Sequence, residues 1–362
     1  MGDDDRVMRR ITAALVVLAT CSACATSRTG AGTSSSAAKL TAPAATSTSS
    51  STLAVTTSAV ATAPATRVDP PQIEHYEVVI VDGEVLDTAR NRRIPYRVYA
   101  PAGPSGKVPI ILVSHGGDGN ARGYLSAPHL GTTFAAGGFV AIHIGHLPSA
   151  NALVHQNDRP ADVTFLLDQL AAGRVAMPVG FVGTPDLDRV GHTGHSYGAY
   201  TSHAVAGATY RRTHTDPRID AIAPISPQGP DQFGAFDRGP TDSTWTTVTV
   251  PVYDLVGGDE VDSNAVDSLS RPGWRLVPFD RYQGTADTFL SIIDGQVHSD
   301  MWNTGSADVE QFIATQILAF MQRYVAGDGR VDACSIGVST AVAVTTRHRA
   351  GSAASALAGC SS

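Results

Sequence analysis

The chain has 362 residues, 43% hydrophobic and 16% charged, with 33 acidic against 26 basic side chains and a net charge of −7. That balance suits a globular protein with a sizeable core and excludes collagen-like, coiled-coil and multi-pass membrane classes. No Lys/Arg cluster offers the positive footprint that nucleic-acid binding needs, so that partner class is excluded too.

Met8-Arg9-Arg10 leads into the apolar run Ile11–Thr20. As a helix, ten such residues span about 15 Å, half a bilayer core, which fits an export signal better than an anchor. Two endings compete within 1–25. Ala23-Cys24-Ala25 suits ordinary signal peptidase, while Leu18-Ala19-Thr20-Cys21 resembles a lipoprotein box. The expectation is a secreted or envelope-attached protein, touching a membrane only through a lipid on Cys21 or Cys24. Residues 26–71 are almost all Ser, Thr and Ala with scattered Pro, and read as a disordered tether.

All 10 Phe, 10 Tyr and 3 Trp lie between Tyr76 and Tyr324. Aromatic side chains contribute most to buried apolar area, so a single catalytic domain is expected over 72–325. Its strands are predicted at Glu74–Val81, Tyr96–Ala100, Pro109–Ser114, Phe139–Ile144, Arg189–Thr193, Ala221–Ile225, Pro251–Val256 and Phe289–Ile293. Several are unbroken Val/Ile/Leu runs, as in strands covered on both faces. Asp158 is placed to cap a helix with Pro160 in its first turn and Val163, Leu166, Leu167 and Leu170 on its apolar face. A last helix starts near Ser306 with Val309, Phe312, Ile313, Ile317, Phe320 and Tyr324 on one side. The fold class is therefore α/β, a mostly parallel sheet with helices on both faces. Residues 326–362 read as a low-complexity tail whose Cys334 and Cys360 either pair or remain free.

Reactive residues of such sheets gather beyond the carboxyl ends of the strands. Gly194-His195-Ser196-Tyr197-Gly198 is a G-x-S-x-G motif between an apolar strand and a small-residue helix. A sharp turn there lifts the Ser196 hydroxyl out of the sheet, and glycines on either side avoid a clash. Ser196 is the candidate nucleophile. Ser114-His115-Gly116-Gly117 ends an earlier strand, and its glycines let amides approach a substrate carbonyl. The candidate oxyanion donors are the amides of Gly117 and Tyr197, with Asp118 as an alternative to Gly117.

Downstream, Gly257-Gly258-Asp259-Glu260-Val261-Asp262 places three acids after a late strand. One of them would orient a histidine; Asp259 is the first choice, then Glu260, then Asp262. His298, after the last predicted strand and before the last helix, is the candidate base. His192 is read as a core residue, His195 as wall, and His143 and His146 as structural. Tyr200, Trp245, Met301 and Trp302 are either pocket wall or core. Cysteine and histidine spacings suit no zinc site, and no cofactor is expected.

In this order, the His-Gly-Gly loop, the G-H-S-Y-G turn, the late acid and the final histidine resemble the α/β-hydrolase family of serine esterases, over most of residues 74–325. Ser114–Gly119, Ala141–His146 and Asp158–Asp162 make the chain most similar to the dienelactone-hydrolase-like group with chlorophyllases and platelet-activating-factor acetylhydrolases. The resemblance implies an α/β-hydrolase fold and an acyl-enzyme esterase acting on a small-molecule or lipid ester, with Arg159 and Asp162 structural. Dienelactone hydrolases proper carry a cysteine nucleophile, so Ser196 favours esterase chemistry, and the compact acid turn leaves open which acid serves. A serine peptidase or amidase on this scaffold, or a tethered binding protein without activity, are the alternatives.

Overall fold

Ile110, Ile111, Leu112 and Val113 are all buried. Successive side chains of a strand point to opposite faces, so this run requires a covered sheet on both sides. The computed structural model describes residues 75–117, 122–209, 211–230, 243–262, 273–284, 286–352, 355–357 and 360. Ile110 and Leu112 pack in one core cluster, Ile111 and Val113 in another. The export signal, the tether, Cys21, Cys24 and Asp118 lie outside the described residues.

Among the described residues, nine strands form one mixed sheet: β1 (Val78–Asp87), β2 (Arg92–Pro101), β3 (Lys107–Ser114), β4 (Val140–Ile144), β5 (Thr184–His195), β6 (Ile219–Ile225), β7 (Val252–Gly257), β8 (Thr288–Ile293) and β9 (Val344–Arg349). Their order is β1-β2-β4-β3-β5-β6-β7-β8-β9. The neighbours from β4 through β8 are parallel, while β1, β2 and β9 run antiparallel to theirs. After β3 the chain turns to β4 on one side and returns to β5 on the other. The crevice beyond the ends of β3 and β5 is thus a topological switch point, where open α/β sheets bind ligands.

One face carries α2 (Ala152–Ala171) and α3 (Tyr197–Val205), which contribute Val163, Leu166, Leu167, Ala204 and Val205 to the first core. The other carries α1 (Pro128–Ala136) and α5 (Ala307–Tyr324), with Phe134, Phe312, Ile313, Ile317 and Phe320 in the second. Ser306 caps α5, its side chain accepting from the Val309 amide at 3.3 Å.

Two elements differ from the sequence reading. Helix α2 begins well before Asp158, because Asn151 is the cap, accepting from the Val154 amide at 3.0 Å. Asp158 instead takes a hydrogen bond from Ser149 and faces the Arg90 and Arg92 guanidiniums, and Pro160 lies inside the helix. Residues 326–362 are not wholly outside the sheet. β9 pairs with β8 from Thr288↔Arg349 to Ile293↔Val344, and Cys334 is bonded to Cys360. Asp287 fastens this tail by accepting from Gly351 N, Ser355 Oγ and Ala356 N. The disulfide closes a loop of 26 residues, which by chain entropy stabilises the fold by about 3 kcal/mol. Replacing both cysteines by alanine is expected to lower the urea-unfolding free energy by that amount. An unchanged value would mean the bridge constrains nothing that matters to the fold.

Candidate functional site

Strand β5 ends at His195 and α3 starts at Tyr197, which leaves Ser196 alone to turn the chain, at φ 56°. Side chains seldom adopt that region, and such strain concentrates where a side chain must be presented. The flanking glycines are there for contact. A Cβ on Gly194 would lie 2.6 Å from the Ser114 carbonyl oxygen, and one on Gly198 2.0 Å from the same atom. The turn is thereby pressed against the end of β3.

Ser196 and His298 line one cavity of about 450 Å³ together with His115, Gly116, Gly117, Arg122, Ser126, His195 and Trp302. Gly117, at φ 78°, makes the left-handed turn of the loop after β3. Tyr197 opens α3, where the first amides have no partner within the helix. Its ring is buried away against His155 and Tyr200. Among the described residues no hydrogen bond joins the Ser196 hydroxyl to the His298 ring. Such contacts commonly tighten only when substrate is bound.

The acid at His298 is Glu260, not Asp259. His298 Nδ1 is hydrogen-bonded to Glu260 Oε1, while Oε2 accepts from Ser226 Oγ at 2.8 Å and Gly257 N at 3.0 Å. Residues Gly258–Asp262 form a short helix, α4, in which successive side chains turn by about 100°. Asp259 therefore faces solvent and Glu260 is 6% exposed. Asp262 lies outside the described side chains. Burial by itself would raise the Glu260 carboxyl; the His298 hydrogen bond and the Arg275 guanidinium outweigh it and hold the pKa down to about 2.

Two more contacts fix His298. His195 Nε2–H donates to the His298 carbonyl at 2.9 Å, and the two rings lie 4.4 Å apart; the His195 ring in turn stacks on Trp302 at 5.4 Å. Trp302 is itself held by donation from Nε1 to Ser126 Oγ at 3.1 Å. Of the four aromatic or sulfur side chains that could have walled the pocket, Trp302 does so; Tyr200, Trp245 and Met301 are buried in the cores.

Arg159 connects both sides of the crevice. Its guanidinium donates to the His115 carbonyl and, at 3.0 Å, to the Gly117 carbonyl; Nε donates to Thr201 Oγ1 at 3.1 Å. It also sits 4.9 Å from the centre of the Tyr197 ring. Asp162, one turn along α2, accepts from Arg90, Arg92 and His146. The glycine loop and the start of α3 are thus both braced by one fully buried cation.

Below the cavity lies a chain of neutral rings. His146 Nδ1–H faces Asp162, Ser114 Oγ lies 2.9 Å from His146 Nε2 and 3.0 Å from His192 Nε2, and His192 Nδ1 meets Ser202 Oγ at 2.8 Å. His115 donates Nδ1–H to the Gly116 carbonyl and accepts from the His146 amide at Nε2, which only a neutral ring can do. These are the structural roles expected for His146 and His192; His143 is buried with its ring 5.0 Å from that of Tyr99, and His195 is both wall and brace.

Desolvation holds His115, His143, His192, His195 and His203 at pKa values of about 3. Unfolded histidine takes up its proton near pH 6.5, so below that pH the unfolded chain binds more protons and stability falls. Each ring contributes a loss of roughly 2 kcal/mol between pH 7 and pH 5. Asp254 and Asp220, whose carboxyls burial raises, work the opposite way, while His146, also held neutral by burial, adds to the loss. Glu260 adds to the acid loss below pH 4.5, since its folded pKa is depressed. Urea unfolding at pH 7 and pH 5 is therefore expected to give a much smaller free energy at pH 5. Equal values would mean that these rings are protonated in the folded protein.

Of the sequence candidates, Ser196, His298, Gly117 and the helix start at Tyr197 meet at one crevice, and Asp259 does not join them. The family resemblance implies a structural Arg159, and its grip on the glycine loop depends on backbone carbonyls 42 to 44 residues away. Arg275 carries no local signal at all. Among the described residues, no group of three or more His, Cys, Asp or Glu side chains is placed to hold a metal ion. No family model matches the chain, and no curated protein matches it at a significant level.

Proposed function

We propose that the protein is a serine hydrolase of carboxylic esters on an α/β-hydrolase fold, working through Ser196, His298 and Glu260. The observation that carries this reading is Ser196 at positive φ, facing the same cavity as a histidine whose Nδ1 is held by a buried, ionised carboxylate. Nothing structural requires that combination, and it is the arrangement acyl transfer needs.

In this mechanism His298 Nε2 takes the Ser196 proton as Oγ attacks the ester carbonyl. The charge on the carbonyl oxygen is met by the amides of Gly117 and Tyr197, one such donor being worth about 10²–10³ in rate. Imidazolium then returns its proton to the leaving alcohol, an acyl-enzyme remains on Ser196, and water activated by His298 releases the acid. Glu260 stabilises the imidazolium and fixes its tautomer. The residues need no metal or cofactor for these steps. Export fits the reading as well, because a Cys334–Cys360 bridge persists in an oxidising compartment; lipid attachment through Cys21 or Cys24 is part of the same proposal.

The full chain is expected to hydrolyse p-nitrophenyl esters, with its optimum at short or medium acyl length because the cavity holds about 450 Å³. Cleavage of amides or peptides without ester turnover would replace this reading with a peptidase. Inertness toward all three would leave a binding protein.

A further inference from the structure

Glu260 Oε1 is shared. Besides His298 Nδ1 it faces Arg275 Nε at 3.2 Å. Arg275 is 3% exposed and comes from a 3-10 turn, Trp274–Leu276, remote in sequence from both partners. Its Nη1 donates to the Ser226 carbonyl at 2.9 Å and the Pro227 carbonyl at 3.3 Å, just past the end of β6. The guanidinium also lies 5.4 Å from the centre of the Trp274 ring. Ser226, itself at φ 48°, donates its hydroxyl to Glu260 Oε2. Arg275 therefore ties the carboxylate and the backbone beneath it into one unit.

A buried cation beside the acid of a triad has two opposed effects. It keeps the carboxylate ionised and aimed, but it repels the imidazolium that forms on His298 during turnover. A well-solvated acid would need no such partner. Glu260 is buried, and without Arg275 it would hold its charge on one imidazole, one hydroxyl and one amide. Other titratable groups nearby are His195 at the end of β5, kept neutral by burial, and Asp300, which accepts from the Val297 amide; Asp259 points to solvent.

We propose that Arg275 is a positioning residue of the triad, anchoring Glu260 to the end of β6 and setting the lower pH at which His298 can work as a base. This rests on the hydrolase reading, and the experiment is chosen to separate the two. In the full chain, the ring C–H signals of His298 are followed by NMR against pH for wild type, Arg275→Gln and Arg275→Lys. The glutamine keeps a donor for the Ser226 carbonyl but loses the charge, so protonated His298 forms more easily. Its titration midpoint is expected about half a pH unit or more above wild type. Lysine keeps the charge and leaves the midpoint close to wild type, but it cannot hold carboxylate and carbonyls together. With p-nitrophenyl butyrate, kcat is expected to fall about tenfold for Arg275→Lys with KM unchanged, since Arg275 does not line the cavity. For Arg275→Gln, the acid limb of kcat/KM moves upward with the ring signal.

Coincident midpoints for wild type and Arg275→Gln would overturn the proposal. So would a folded Arg275→Lys with wild-type kcat, which keeps the test decisive if the glutamine variant fails to fold. Absence of ester turnover in the wild type counts against the hydrolase reading alone, because the ring titration requires no substrate.

Discussion

Glu260→Gln is expected to lower kcat/KM for a short ester by about 10³–10⁴, while Asp259→Asn stays close to wild type. The asymmetry follows from the donors around the carboxylate. His298 and Arg275 face Oε1, and the Ser226 hydroxyl and Gly257 amide face Oε2. A glutamine must point its NH₂ at one of those pairs. Pointed at His298, it demands that Nδ1 accept, the tautomer whose proton sits on Nε2 and which cannot take one from Ser196. Pointed the other way, it sets donor against donor at Gly257. Either way the buried Arg275 loses its counter-charge, so circular dichroism and a thermal melt accompany the kinetics. Asp259 is exposed, and its amide, not its carboxylate, makes the fold contact, donating to Gln296 O at 3.1 Å. Equal losses in both variants would return the choice of acid to the sequence reading.

Ser196→Ala is expected to abolish at least a thousandfold of ester turnover and to leave stability nearly unchanged. Ser196 caps α3 by position, but its side chain makes no capping hydrogen bond. The turn is held instead by backbone and packing: Ser196 N donates to Ile225 O at 2.9 Å, and Gly194 and Gly198 press on Ser114. Removing the hydroxyl thus takes away the proposed nucleophile and nothing the fold uses. A variant that lost activity only by unfolding would point to a structural serine. One that kept activity would require another nucleophile.

Where the chain is buried on both faces, its sequence declares itself. β3 and β6 carry the unbroken apolar runs Val108–Val113 and Ala221–Ile225, and both lie in the parallel part of the sheet. β9 shows the contrary case. Val344–Arg349 alternates only partly buried residues, contains Thr, Arg and His, and owes its place to an open edge of β8, to Asp287 and to a disulfide. None of those lies in the strand's own composition. The start of α2 is ambiguous in sequence because Asn151 and Asp158 are both good cap residues, and the arginines facing Asp158 decide between them.

The site divides in the same way. Ser196 and His298 stand out as candidates because acyl-transfer chemistry would require a particular element before and after each. The choice between Asp259 and Glu260 rested on where a five-residue helix begins, a difference of one residue that turns a side chain from solvent to core. Arg159 is legible only through the family resemblance and Arg275 not at all, since both grip backbone carbonyls more than 40 residues away in the chain. A guanidinium recognising backbone leaves no complementary residue type in the sequence.

The proposed mechanism requires a Ser196 hydroxyl made nucleophilic by its neighbours. Its most direct test treats the folded full chain with a fluorophosphonate and locates the adduct by intact mass and peptide mapping. One phosphonyl group on the peptide carrying Ser196, formed quickly in wild type, slowly in Glu260→Gln and not at all in Ser196→Ala, is the predicted result. No adduct on the folded wild type, or an adduct elsewhere that survives Ser196→Ala, would contradict it.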